Sequence, residues 1–343
     1  MKERSWFWMG LAGMTALALV SGCSGRAAQT GNGATSAGLG GSSRTGAQRL
    51  RVAPMDMTGS AGNFKKLDSK ADTADLPTEL TVYKVVPANV TRQQFDERAK
   101  RLGVDREVGE DSASFVARGD KASLVVDKQT GSFDFTTDEF ATQTKPIAGA
   151  LTDEQYRASA EKFLVDAGLM EPEAEFRDVN RDNVVGVLEN GGWVEKPYMV
   201  EVRFSHKPLA GIAFDKGVGP RIVVQFGEDG HILGATSVWR KVEPLGKYRL
   251  KTPQQALDAV KNGRGQIFDV GQDAKGTVDE ITTSYLNEPL GYKQLYVLPA
   301  YVMKGKTAEG KPFTALTRAI PDDMLQVDES LNRGPKAPVS TRK

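Results

Sequence analysis

Apolar and polar positions divide the 343-residue chain into unlike stretches. Phe7 to Val20 is an uncharged apolar run of about 14 residues, shorter than the ~20 that span a bilayer. From Ser24 onward Gly, Ser, Thr and Ala dominate, and TGNGATSAGLGGSSRTGAQ holds almost no bulky apolar side chain. Such a stretch cannot offset its ordering entropy, so the pattern predicts a disordered tether over 23–75. At ~50 residues its reach is on the order of 40 Å. The end, 323–343, is polar, carries Gly334-Pro335 and Pro338, and reads as a flexible tail.

Between these ends the apolar pattern becomes periodic. VTRQQFDERAKRLG, LTDEQYRASAEKFLVDAG and KTPQQALDAVKNG each open with Thr and place Gln three residues later: Thr91/Gln94, Thr152/Gln155 and Thr252/Gln255. This is a capping box, in which each side chain satisfies a backbone N–H orphaned at the helix start. Gly103, Gly168 and Gly263 follow the periodic residues as C-caps. Three short amphipathic helices are predicted.

Period-two runs lie between the helices. SLVVDKQTGSFDF, RIVVQFGEDGHILGATSVWR and AYVMKGKTAEGKPFTALTRAI each place β-branched or aromatic residues around a Gly-containing turn. LTVYKVV, YMVEVRF and KQLYVLPAYVM read as further strands. Together they predict an α+β fold of about three repeated units, each a capped helix on antiparallel strands. The units would occupy 76–146, 147–243 and 244–322.

Charge and cysteine change the picture at the start of the chain. Lys2 and Arg4 precede the apolar run, and Val20-Ser21-Gly22-Cys23 ends it. This resembles a bacterial lipobox, in which small residues admit the peptidase and the thiol takes up lipid such as palmitate. Residues 1–22 would then be a signal peptide and Cys23 a membrane anchor, because acyl chains contribute ~0.8 kcal/mol per buried methylene. Ser24 in place of aspartate resembles an outer-membrane sorting signal. The expected location is extracytoplasmic, on the outer membrane where the cell has two membranes. Cys23 is the only cysteine, which excludes a disulfide framework or a thiolate metal site. With 45 basic and 44 acidic residues the net charge is +1, which argues against a nucleic-acid partner.

The helix-plus-hairpin pattern carries a resemblance. Thr-x-x-Gln followed by Val125 to Phe133 is similar to a PepSY-type module, and HKPLAGIAFDKGVGPRIVVQFGEDGHILG resembles its propeptide-like relatives. The run from Trp239 through YRLKTPQQALDAV to LYVLPAYVMKG is similar to YycI/YycH-type extracytoplasmic regulators of a sensor kinase. The resemblance implies a non-enzymatic regulatory protein that binds an envelope partner, a protease or a sensor kinase. It supplies no catalytic residue and no cofactor.

Three chemical alternatives stand beside it. Asp178, Asn180, Asp182 and Glu189 match positions one, three, five and twelve of a calcium loop, with Asn183 where glycine is usual. A plain turn entering a strand at Val184 to Leu188 fits the same residues. The two histidines, His206 and His231, form no HExxH helix, and a hydrolase would need one of them joined to a nucleophile. Trp193, Trp239, Tyr285, Tyr292, Tyr296 and Tyr301 could form a docking surface, although such aromatics are more often core.

Overall fold

The computed structural model describes residues 49–55, 62–214, 219–268, 270–288 and 293–331. The expected signal peptide, Cys23 and most of the expected tether lie outside them. In chain order, β1 (Leu50–Val52), β2 (Phe64–Ser69) and β3 (Glu79–Val86) lead into α1 (Arg92–Arg101). β4 (Glu107–Glu110), β5 (Ser114–Arg118), β6 (Ala122–Asp127) and β7 (Phe133–Thr137) precede α2 (Asp153–Ala167). Then come β8 (Ala174–Glu189), β9 (Gly192–His206), β10 (Arg221–Phe226), β11 (Ile232–Val238) and β12 (Lys241–Arg249). After α3 (Pro253–Lys261) follow β13 (Gln266–Phe268), β14 (Ala274–Leu286), β15 (Tyr296–Thr307), β16 (Pro312–Arg318) and β17 (Leu325–Val327).

All three capping boxes form, each with its reciprocal pair of bonds. Gly103, Gly168 and Gly263 take positive φ just past the helices, a conformation that costs glycine nothing.

The α+β plan of about three repeated units is overturned. Strand takes 49% against 17% helix, and the strands form two large, mainly antiparallel sheets. One sheet has eight strands in the order β4-β5-β6-β7-β11-β10-β9-β8. It is continuous because β7 pairs with β11, Ala235 lying opposite Phe135. Hairpins read as belonging to separate units thus share edges, which satisfies backbone groups that each would otherwise leave bare. β3 departs from its neighbours in sequence and enters the second sheet, ordered β12-β3-β15-β14-β2, where β16 also pairs with β15.

Each sheet has its own core. α1 and α2 bury Phe95, Ala99, Tyr156, Ala160 and Leu164 against Leu124, Val126, Val202, Phe204, Ile222 and Val224 of the eight-stranded sheet. α3 buries Ala256, Leu257 and Val260 against Ile281, Leu298 and Met303 of the second sheet.

The second core corrects two further expectations. β1 and β2 lie within the stretch read as tether, and β17 within the stretch read as tail. The reason is a handful of apolar residues in a polar background. Leu50, Val52, Phe64 and Leu67 are buried in this core, and β1 pairs in parallel with β17.

Leu164 is fully buried on α2, whereas its neighbour Val165 is 60% exposed. Leu164→Ala should lower the unfolding free energy by ~2–5 kcal/mol, and Val165→Ala should stay within ~0.5 kcal/mol. Urea denaturation of the two variants beside the wild type checks this.

Candidate functional site

The most distinctive feature is the β8–β9 hairpin. Its strands run 16 and 15 residues, against four to seven in the other strands of that sheet. The inner half of β9 is core, with Val200, Val202 and Phe204 buried. On β8, Phe176 meets the Phe204 ring edge-on at 6.2 Å, and the Arg157 guanidinium lies 4.6 Å from the Phe176 centroid.

Midway, the register of β8 on β9 shifts between Asn180 and Asn183. Such a bulge re-aims a side chain. Here it sends Arg181 to α2, where its Nη1 lies 2.6 Å from Asp153 Oδ1 and its guanidinium sits over the Tyr156 ring. Asp153 is the first helical residue, so the carboxylate also complements the helix dipole.

Beyond the bulge the hairpin leaves the core and becomes an arm. Val184 is 40% exposed, Leu188 62%, Val194 42% and Trp193 78%. Pairing places Leu188 opposite Trp193, and strand alternation puts Val184 on that same face. A Cβ at Gly186 would lie 3.3 Å from Trp193 Cε3, so the indole rests over bare backbone. Asn190 and Gly191 close the tip with φ of 50° and 80°, the hairpin pattern typical of Asn-Gly.

This geometry settles where the calcium candidates lie. Asp178, Asn180, Asp182 and Glu189 are strung along β8, and the first and last are on the order of 35 Å apart at strand rise. The structure does not bring them together. Asp178 Oδ1 accepts from Arg203 Nε at 2.6 Å, Asn180 Oδ1 accepts from the Asp182 amide at 2.6 Å, and Glu189 pairs with Lys196. Among the described residues no group of three or more His, Cys, Asp or Glu is placed to hold a metal.

The aromatic candidates divide. Trp239, Tyr285 and Tyr301 are buried, Tyr296 is partly buried, and Tyr292 lies outside the described residues. Among the described members of the set, Trp193 alone is broadly exposed. His206 stacks on Trp239 with ring centres 5.2 Å apart, and its Nδ1 lies 2.6 Å from the Lys207 carbonyl. His231 Nε2 lies 3.0 Å from Glu139.

Buried polar groups join the two sheets. Arg240, 1% exposed, donates from Nη1 to the Trp239 carbonyl at 2.8 Å and from Nη2 to the Glu288 carbonyl at 3.4 Å. Arg318 Nη2 donates to Glu288 Oε1 and to the Ala53 carbonyl, both at 2.8 Å. Ser132 Oγ accepts from the Trp239 amide at 3.0 Å. Burial lowers the Arg240 pKa to about 10, with Asp127 and Glu288 pulling it back up. Sequence periodicity could not find this cluster, since its members come from five separate stretches of chain.

No family model and no curated protein matches the chain. A solved structure of an uncharacterized protein from Eubacterium rectale is similar to it at 10% identity and a TM-score of 0.40. That match covers 77% of this chain and 91% of the other.

Glu201 lies on β9 opposite Asn180, at the base of the arm. Burial raises its carboxyl pKa, against the pull of Arg203, the Asn183 hydrogen bond and Arg221; Asp178 adds to the rise. An acid whose pKa is raised by folding contributes fully below its unfolded pKa and loses that contribution as pH rises through the folded value. Glu201→Gln should therefore raise the urea midpoint near pH 7 and leave it close to wild type at about pH 3.

Proposed function

We propose that this chain is a lipid-anchored extracytoplasmic protein without enzymatic activity of its own. It binds and regulates a protein partner in the cell envelope, a protease or a sensor kinase. The arm formed by the outer halves of β8 and β9 is its contact surface. Lipid on Cys23 holds it at the membrane, on the outer membrane where the cell has two.

The observation that carries this reading is Trp193, 78% exposed at the end of a long hairpin, beside Leu188 at 62%. Large apolar side chains left in water at an accessible tip fit a surface completed by a partner. Tryptophan is enriched among the few residues that dominate interface energies. The base of the arm is held by the Arg181–Asp153 pair and by core packing, so the tip is presented from a firm support. A rigid presentation lowers the ordering cost of binding.

A photo-crosslinking amino acid at position 193 of the full chain, expressed in its own cells, tests this. One discrete protein adduct is expected from position 193 and none from position 165, which is exposed on α2. Trp193→Ala should weaken capture of that same protein about thirtyfold, the effect of losing an interface residue worth ~2 kcal/mol. Equal, diffuse labelling from both positions would overturn the reading.

A further inference from the structure

Two strands end the main order of each large sheet, and three of these four edges are protected; β13, which branches off through β16, is only three residues long. β4 is four residues long and carries Glu107 and Glu110. β12 contains Pro244, a register shift and several charges. β2 carries Lys65, Lys66 and Asp68. Charges, proline, bulges and shortness are the devices that stop one sheet edge from pairing with another.

β8 uses the same devices in its inner half only. Glu175, Arg177, Asp178, Arg181 and Asp182 supply charge, and the register shifts fall at 176–178 and 180–184. From Val184 to Leu188 the sequence is VVGVL, with neither a charge nor a proline. This segment pairs with β9 on one side, and β8 ends the sheet on the other. Protection stops where regular strand geometry resumes.

We propose that a second copy of this chain occupies that edge, antiparallel, about a two-fold axis at Gly186. The segment is complementary to itself in this register. Val184 faces Leu188 of the second copy, Val185 faces Val187, and Asn183 faces Glu189, so no like charges oppose one another. Cross-strand pairs of β-branched residues favour each other. The pairing is also closed, because each copy's free edge is consumed and no further chain can add. With the axis normal to the sheet, the two faces bearing Trp193 and Leu188 lie side by side, forming one larger apolar surface. The pairing uses the backbone edge and the partner reading uses a side-chain face, so either can fail without the other.

Sedimentation equilibrium of the full chain in density-matched detergent, at micromolar concentration, reads the outcome. The wild type should show twice the chain mass. Val185→Glu alone and Val187→Lys alone should each bring it to one chain mass, since each sets an unpaired charge opposite valine at the edge, the device that blocks edge pairing. Within the chain Val185 lies opposite Lys196 and Val187 opposite Val194, so neither change sets a like charge directly opposite another in the arm. The double variant places opposite charges across the axis at both pair positions and should recover the dimer. A monomeric wild type, single variants that remain dimeric, or a double variant that stays monomeric would overturn the pairing.

Discussion

Backbone groups at the rim of a sheet need partners, and this requirement organises the molecule. An eight-stranded sheet has two rims. One is closed off by a short acidic strand, β4. The other is a 16-residue strand whose inner half is kinked and charged and whose outer half is smooth and uncharged. The bulge between the halves does two jobs. It breaks the regular edge, and it turns Arg181 onto Asp153, tying the hairpin to the start of α2. Everything beyond it stands away from the core, which is why Trp193 and Leu188 meet solvent.

A second constraint joins the two sheets. Arg240 and Arg318 converge on Glu288, one through its carbonyl and the other through its carboxylate. Taking such charges out of water costs several kcal/mol per ion before pairing offsets it. Among the described residues, the Nε atoms of both arginines and the indole N–H of Trp239 are buried without a hydrogen-bond partner, which adds to that cost. An apolar junction of the same shape would be at least as stable. What the polar one supplies is direction, because each guanidinium accepts only a few arrangements of the two sheets. The aromatic series from Trp239 through His206 and Phe214 to Tyr285 and Tyr83 fills the space around it.

Local signals in the sequence were legible and non-local ones were not. Thr91, Thr152 and Thr252 each cap a helix as their spacing predicts, because capping is settled within four residues. Sheet membership is settled by strands far apart in the chain, so nothing near Phe135 announces its partner Ala235. The same limit explains β1 and β2: LRV and FKKL are too short to outweigh a Gly- and Ser-rich setting until a distant core receives them. At Asp178 to Glu189 the oxygen spacing fits a cation loop, but the valine-rich run from Val184 to Leu188, closed by Asn190-Gly191, was the stronger signal and points to a hairpin. Trp193 and Trp239 look alike in sequence. Only the fold separates the one at a hairpin tip from the one at the seam between sheets.

The proposed pairing covers the outer edge of Val184 to Leu188 in the working protein. Amide hydrogen exchange across this segment, compared between the wild-type full chain and Val187→Lys, tests it most directly. In an uncovered edge alternate amides face water and exchange quickly, while those facing β9 are slow. Slow exchange throughout the segment is expected in the wild type and fast alternate amides in the variant. Fast alternate amides in both proteins would contradict it.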